Sequence, residues 1–345
     1  MSDIYWQGHT GALVRSRVKG DPQVNHALDC TLERESQWTQ KQSSVAVCQK
    51  HLNTVQTKLD IHNSTWNQVK RVIKSTLEDN VSDYWKGQVE PLLVQGQFVK
   101  LLLLADDNLT WKSIMYNLPK GVLSFVTNAC IDSLPSYTNL YRWGKRLSNK
   151  CTFCPQTTGT LHHILNNCTV CLERYEWRHN NILRFLYNTA TESLSTDNAK
   201  VYADIDNFNV AGGTIPPHIL VTSQRPDLVI IWESTKTILM IELTVPFETN
   251  IEDAHERKLQ RYKDLTHDIR NNGYEVEYYA IEVGARGQIT KDNKYRLKKF
   301  LKKTKSNTTP TVLYQTITKY AIVSSFVIFY ARKERLWGEV KYLEF

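Results

Sequence analysis

The sequence predicts an α+β fold, in which a helical N-terminal segment precedes a small Cys/His knuckle and then a region of short strands and helices. Three observations predict it. Apolar residues recur at helical spacing in the first third of the chain, cysteines and histidines cluster between residues 151 and 171, and β-type runs begin at residue 228. With 345 residues, 41% of them hydrophobic, the chain is long enough to form several domains with buried cores.

Charge and cysteine content indicate which kind of partner and which cellular compartment suit the protein. The net charge of +8 favours a polyanionic partner, because basic side chains release counterions when they neutralise phosphates. The opening residues are too polar for a secretory leader, and the cysteine spacing favours a reducing compartment. The apolar run from Tyr320 to Tyr330 covers about half of the roughly 20 residues that cross a bilayer, so we interpret it as core. We expect an intracellular protein without a membrane segment.

The N-terminal part contains two predicted regions. Residues 1–60 are polar, carry glycine and proline without a sustained period, and are predicted to be poorly ordered. Residues 61–145 are predicted to be a helical linker region. Asn63 or Ser64 should cap its first helix, and a core helix should run from Val89 through Leu104.

A cluster of cysteine and histidine residues, within a predicted domain of residues 146–186, has the spacing of a metal site. The ligands that this spacing favours are Cys151, Cys154, His163 and Cys168. Three thiolates and an imidazole suit a tetrahedral Zn²⁺ ion with no open coordination position, so the zinc would be structural. The spacing also allows His162 to replace His163, and Cys171 to replace Cys168.

A composition shift separates this knuckle from the last predicted domain, residues 208–345. The chain turns polar between Asn188 and Asn207, which predicts a linker and a domain boundary. Beyond it, alternating and apolar runs predict a hairpin, a helix and a further strand. The predicted elements are strands at Leu228–Trp232 and Ile238–Val245, a helix from Asn250 or Ile251 to a C-cap at Gly273, and a strand at Val276–Val283.

Two acidic residues are predicted to meet on the hairpin. If the connecting turn spans Glu233–Lys236, Trp232 pairs with Thr237. Asp227 then falls directly opposite Glu242, with their Cβ atoms about 5 Å apart. Adjacent carboxylates repel unless a cation lies between them, and oxygen ligands favour Mg²⁺, which would activate water for phosphodiester hydrolysis. The alternative is that Asp227 marks a turn and Glu242 faces solvent.

The helix after the hairpin carries two further candidates. We expect Lys258 to reach the carboxylates, where it would orient the water or neutralise the phosphate, with Tyr262 one turn further on the same face. The alternative for Lys258 is an exposed helix cation. His179, which lies further upstream, is interpreted as an ordinary surface or core histidine.

Two basic clusters are predicted to contact nucleic acid. The run from Lys291 to Lys305 holds eight basic residues against the single acid Asp292, and its alternative is a solvated helix face. A second cluster, of basic and aromatic residues, precedes the knuckle. The predicted contacts are Lys291, Lys294, Arg296, Lys298, Lys299, Lys302, Lys303, Arg142 and Arg146.

These motifs together resemble a known family over roughly residues 85 to 345. The first part is similar to the region after the polymerase of non-LTR retrotransposons, in Trp111–Pro119, Leu134-Pro135, Asn139-Leu140, Trp143-Gly144 and the knuckle. The second part is similar to their restriction-like PD-(D/E)XK endonuclease, in Arg225-Pro226-Asp227, Glu242–Glu248 and Glu256–Tyr262. The polymerase itself is missing from the sequence.

The resemblance implies a restriction-endonuclease-like domain, a mixed β-sheet flanked by helices, that nicks target DNA so that the exposed 3′ end primes reverse transcription. Asp227 and Glu242 would bind Mg²⁺. Lys258 would replace the lysine that the wider superfamily has at the third motif position, which is Thr244 here. The expected partners are a DNA target and the element's RNA, and the expected location is the nucleus.

Two other functions stay open at this stage. One is a catalytically inactive, zinc-containing, nucleic-acid-binding remnant of a retrotransposon. The other is a protein-interaction scaffold built on the helical N-terminal half. The joint presence of Asp227, Glu242 and Lys258 favours the endonuclease, because sequence drift would be expected to erase at least one of them.

Overall fold

A computed structural model describes residues 10–15, 22–36, 44–104, 110–194, 199–205 and 213–337 of the chain. These residues form an α+β fold with a four-stranded mixed sheet, so the predicted α+β class is confirmed. The chain divides into two compact units, Met1–Pro91 and Leu92–Phe345.

The first unit is helical in its described parts. Its helices are α1 (Pro22–Ser36), α2 (Ser44–Lys58) and α3 (Trp66–Val89). Buried residues of α2 and α3, including Leu52, Val55 and Ile73, share one core. The prediction of low order across residues 1–60 is wrong for the helical stretches that the structure describes in that range, residues 10–15, 22–36 and 44–58. The buried residues of α2 form only a narrow stripe, spaced by three and four positions. The many polar residues around this stripe obscure the helical period in the sequence.

Helix α3 begins one residue later than the predicted caps. Thr65 is the N-cap, and it forms a capping box with Gln68, in which each side chain accepts a hydrogen bond from the other residue's backbone N–H. Asn63 and Ser64 bond instead to Asp60 in the preceding turn.

The second unit opens with short helices that lead to the knuckle. They are α4 (Gln97–Leu104), a 3₁₀ helix (Thr110–Asn117), α5 (Lys120–Cys130) and α6 (Tyr137–Arg142). The knuckle contains a π-helical turn (His163–Asn167) and a 3₁₀ turn (Thr169–Cys171), and α7 (Leu172–Leu194) follows. A continuous helix from Val89 through Leu104 is a wrong prediction. Pro91 lacks the backbone N–H that would continue the helix, so α3 ends before it and turns separate α3 from α4.

The sheet has the strand order β1 (Ala199–Ala203), β2 (Leu228–Trp232), β3 (Thr237–Thr244) and β4 (Glu275–Glu282). Strand β2 is antiparallel to β1 and β3, whereas β3 and β4 are parallel. Trp232 pairs with Thr237, so the predicted hairpin register is confirmed. Extending this register by one residue beyond β2 places Asp227 opposite Glu242.

Helices cover both faces of the sheet. They are α8 (Ile251–Asn271), α9 (Lys291–Lys303) and α10 (Pro310–Tyr330), together with α7. Helix α8 packs through Leu265 and Ile269 against Val229 and Met240. Buried residues of α7, α9 and α10 pack against the other face, which carries Ile230. As predicted, α8 follows Asn250 and ends before Gly273, whose φ of 84° suits glycine alone among common residues.

The predicted boundary between Asn188 and Asn207 does not separate two cores. Helix α7 extends to Leu194, and its buried residues Ala190 and Leu194 belong to the core of the sheet. The knuckle in turn shares a core with α10, in which Leu165 is grouped with Phe329. The first polar residues of the predicted linker, 188–193, belong to α7, where Thr189 is buried, and for this reason the boundary prediction is wrong.

Helix α10 contains the apolar run that we interpreted as core. It is also long and apolar enough, by length and composition, to span a membrane. The structure buries 56% of its most apolar stretch. Its buried residues contribute both to the core of the sheet and to that of the knuckle, as a core helix would.

Candidate active site and metal centre

Two carboxylates meet at the end of the β2–β3 pair. The backbone N–H of Asp227 donates to Glu242 Oε2 over 3.2 Å, and the N–H of Leu243 donates to Asp227 Oδ2 over 2.6 Å. The Glu242 side chain is 2% exposed and that of Asp227 is 13% exposed. Burial, followed by the charge of Asp227, raises the pKa of Glu242. A nearby cation would therefore stabilise this pair in its ionised form.

Helix α8 brings a cation to the pair. The Nζ atom of Lys258 contacts Glu242 Oε1 in a largely buried ion pair. Tyr278 on β4 holds this part of α8 in place, because its hydroxyl donates to the Lys258 carbonyl oxygen over 3.1 Å. The alternative that Lys258 is only an exposed helix cation therefore does not fit the structure.

Tyr262 lies close to the same group of side chains. It is buried, and its hydroxyl donates to the carbonyl oxygen of Arg225 over 3.1 Å. Burial, followed by the charge of Glu242, raises its pKa far above the ordinary value, so the phenol stays protonated. Tyr262 thus fixes the segment that carries Asp227. The structure brings together all four residues that were predicted to be catalytic, Asp227, Glu242, Lys258 and Tyr262.

His179 on α7 completes the group, and the sequence interpretation missed it. Its Nε2 atom lies 3.1 Å from Asp227 Oδ2 and 3.2 Å from the carbonyl oxygen of Leu243. Burial is the largest single influence and opposes protonation of the ring, but the charge of Asp227 and the hydrogen bonds to Asp227 and Asn180 together outweigh it and raise the pKa of His179 to about 9. The interpretation as an ordinary histidine is corrected. Since 48 residues separate His179 from Asp227, no local spacing could have indicated the contact.

Thr244, at the third motif position, leaves a polar atom beside the carboxylates. It follows Glu242 by two residues on the same strand, so the two side chains lie on one face of the sheet. Its buried Oγ1 atom has no hydrogen-bond partner among the residues that the structure describes. A bound water or ion in this place would satisfy that atom.

A second charged group neighbours this site on β4. Glu282 is buried opposite Thr244, and His255 Nδ1 lies 3.0 Å from its Oε1 atom. The Arg296 guanidinium lies 3.3 Å from His255 Nε2. A guanidinium can only donate, so Nε2 accepts and Nδ1–H donates to Glu282. These three side chains line a cavity of about 450 Å³ between α8 and α9. Arg296 is thus held in this network by protein groups, and its contact with nucleic acid stays a prediction.

The four predicted zinc ligands come together in the knuckle. The ligand atoms of Cys151, Cys154, His163 and Cys168 all lie within 4.8 Å of one another. Cys154 Sγ is 3.1 Å from His163 Nε2 and 3.7 Å from Cys168 Sγ. Two sulfur ligands of a tetrahedral zinc, each at about 2.3 Å, lie about 3.8 Å apart. The cluster can therefore hold a metal ion such as zinc.

The chemistry of the thiols also fits a bound cation. Burial raises the pKa of Cys154 to about 12 and that of Cys168 to about 11. Buried thiols of this kind lose their protons when a cation binds them. The Tyr175 hydroxyl fixes the loop, since it accepts from the Cys168 N–H and donates to the carbonyl oxygen of Ile164.

The two alternative ligands lie outside this group. The ring of His162 stacks on Phe247 at 4.7 Å, and its Nε2 atom is 3.2 Å from the side-chain nitrogen of Asn167. Cys171 is buried nearby but is not one of the four converging ligands. The geometry therefore favours His163 and Cys168.

The remaining basic residues lie on two surfaces. Helix α9 buries Leu297 and Phe300, and its opposite side is exposed at Lys291, Lys298, Lys299, Lys302 and Lys303. Lys294 is half-buried, and Lys303 pairs with Glu277. Near the knuckle, Arg142 is exposed, and the Arg146 guanidinium covers the Tyr137 ring at 4.1 Å. Several predicted contacts thus remain available to a polyanion.

Comparison with known proteins adds no family. A scan of the chain against protein-family models found no match, and a search of curated proteins found no significant match.

Proposed function

We propose that this chain is a Mg²⁺-dependent DNA endonuclease of the retrotransposon type, with a structural zinc in its knuckle. The observation that carries the proposal is the convergence of Asp227, Glu242 and Lys258 from two strands and a helix. Each of these residues lies in a motif that resembles the restriction-like endonuclease. The mixed sheet with helices on both faces is compatible with that fold.

The side chains of the site have distinct roles in this proposal. Asp227 and Glu242 would hold Mg²⁺, and their oxygen donors, with Thr244 Oγ1 nearby, suit this ion. Bound there, Mg²⁺ would lower the pKa of a water molecule and stabilise charge on the phosphate. Lys258 would offset the negative charge that develops on the attacked phosphate. His179 would orient the Asp227 carboxylate through its hydrogen bond.

The knuckle has a structural role in this proposal. Four protein ligands fill a tetrahedral coordination shell and leave no position for a substrate, as in structural zinc sites. The soft sulfur donors favour zinc over magnesium.

The proposed partner is target DNA, with the element's RNA as a second ligand and the nucleus as the location. The exposed lysines of α9 and the net charge of +8 support binding to a phosphate backbone. Their distribution carries no information on the base sequence that is bound.

The test is a plasmid-nicking assay with the purified chain. The wild type should convert supercoiled DNA to the open circle only with Mg²⁺. Lys258→Met should lower the rate about 10²–10³-fold, because it removes a cation from the position of developing charge. Lys263→Met, an exposed cation on the same helix, serves as the matched control and should nick at the wild-type rate.

Equal nicking by the wild type and Lys258→Met would show that the activity comes from elsewhere. Retained DNA binding without any nicking would instead favour the inactive nucleic-acid-binding remnant.

A smaller effect is expected at His179. His179→Ala removes the hydrogen bond that orients Asp227, and outer partners of metal ligands typically contribute about 10–100-fold to metal affinity or activity. The nicking rate at subsaturating Mg²⁺ should fall by this factor and recover in part as Mg²⁺ is raised. His179→Gln, which retains a donor, should lose less. An unchanged Mg²⁺ dependence in His179→Ala would contradict this role.

A further inference from the structure

An exposed turn next to the knuckle carries the feature from which we draw this inference. We call residues 141–147 the aromatic turn. Its side chains Tyr141, Trp143 and Leu147 are 51%, 45% and 99% exposed. Single apolar residues on a surface are ordinary, but three exposed ones within seven positions, two of them aromatic, are a candidate binding surface.

The aromatic turn stands on a rigid base. Helix α6, which leads into it, is anchored by the buried Tyr137, whose hydroxyl donates to the carbonyl oxygen of Arg332 over 2.8 Å. The buried Asn139 side chain donates to the carbonyl oxygens of Asp132 and Leu134, over 2.7 and 2.9 Å. An exposed apolar group on such a base loses little conformational entropy when it binds a partner.

Backbone hydrogen bonds close the turn itself. The N–H of Trp143 donates to the carbonyl oxygen of Asn139 over 2.9 Å, and that of Lys145 donates to Leu140 over 2.8 Å. Gly144 between them has a φ of 67°, which a glycine adopts without strain. The side chains of Tyr141 and Trp143 are therefore held on a fixed backbone.

Along the chain, the segment that carries the aromatic turn has charge of one sign, and the acid that precedes it, Asp132, lies close enough to Arg142 for their charges to interact. The sequence contains no aspartate or glutamate between Asp132 and Glu173. The same stretch contains the basic residues Arg142, Lys145, Arg146 and Lys150. A polyanion could approach this surface without meeting a carboxylate of this segment.

We propose that the aromatic turn binds single-stranded DNA. Aromatic rings stack on the faces of unpaired bases, whereas the bases of a duplex are already stacked on each other, so exposed rings with basic neighbours suit a single strand. The choice of DNA rests on the proposed function, because a nick allows the cut end to unpair. The turn would then hold a strand that the nuclease site has released.

The experiment measures binding of a fluorescein-labelled oligothymidine to the full, zinc-loaded chain by anisotropy, without Mg²⁺. Trp143→Ala and Tyr141→Ala should each weaken binding about 5- to 150-fold, which corresponds to 1–3 kcal/mol per stacked base. Lys145→Gln should lower the slope of log affinity against log salt by about 0.7, as expected for one phosphate contact of a single strand. Tyr116→Ala, which removes another exposed tyrosine of the same unit, should bind like the wild type.

Four outcomes would overturn the proposal. They are unchanged binding in Trp143→Ala, an equal loss in Tyr116→Ala, tighter binding of a labelled duplex, and tighter binding of oligouridine that depends on the same residues. Zinc content and near-ultraviolet circular dichroism establish that each variant is folded. The assay contains neither Mg²⁺ nor a cleavable duplex and measures binding alone, so a failure of nicking and a failure of this proposal are separable.

Discussion

Glu242→Gln is expected to abolish Mg²⁺-dependent nicking while leaving the protein at least as stable as the wild type. The buried Glu242 carboxylate has a raised pKa even beside Lys258, because burial and the charge of Asp227 make its ionised form costly in this place. The amide keeps an oxygen for the Asp227 N–H but removes the charge that would bind the ion. Lys258, which loses its partner, is partly exposed and can reach solvent. The nicking rate and the midpoint of thermal unfolding should therefore change independently.

Thermal unfolding with and without Mg²⁺ gives this prediction a second measurement. An ion that binds only the folded state raises the unfolding midpoint, so Mg²⁺ should stabilise the wild type and not Glu242→Gln. Glu277→Gln, on β4 and paired with Lys303 away from the site, is the control and should keep both the nicking activity and the Mg²⁺ effect. Wild-type nicking rates in Glu242→Gln would rule out this residue as a metal ligand.

Loss of the knuckle metal is expected to have the largest effect on stability. Cys151 and Cys168 lie in the same core as Ile322 and Phe329 of α10, so unfolding of the knuckle exposes one side of that helix. Zinc binding contributes about 10–16 kcal/mol in isolated zinc-finger peptides at neutral pH. Cys154→Ser should therefore lose the metal, unfold at a much lower temperature, and show faster hydrogen exchange in α10 as well as in the knuckle.

Metal analysis checks this prediction directly. The wild type should contain about one zinc per chain, as expected for a single four-ligand site. Cys171→Ser changes a buried cysteine that is not among the four converging ligands, and it should retain the zinc and most of the stability. Well-folded Cys154→Ser protein with unchanged exchange rates in α10 would refute the structural role.

The features that local spacing determines could be predicted from the sequence. The hairpin register follows from the turn between Trp232 and Thr237, and it places Asp227 opposite Glu242. The four converging metal-ligand candidates lie within eighteen residues, from Cys151 to Cys168, so their spacing nearly specifies the cluster. In both cases a short loop leaves few possible arrangements.

The features that depend on distant contacts could not be predicted. His179 reaches Asp227 and Leu243 only because α7 packs against the end of the sheet, 48 and 64 residues away in sequence. The basic spacing around Arg296 predicted a phosphate contact, but burial of Glu282 draws this guanidinium inward. The order of charged residues along the sequence does not show which side chains the fold will bring into contact with them.

The core that α10 shares with both the sheet and the knuckle ties these two parts of the chain together in evolution. A knuckle excised from this chain would present Leu161 and Leu165 to water, and a sheet region without it would present part of α10. Recombination between related chains could therefore transfer the two only as a single block. A hybrid protein joined between Asn188 and Asn207 would need compensating substitutions along α10 to be soluble as a monomer.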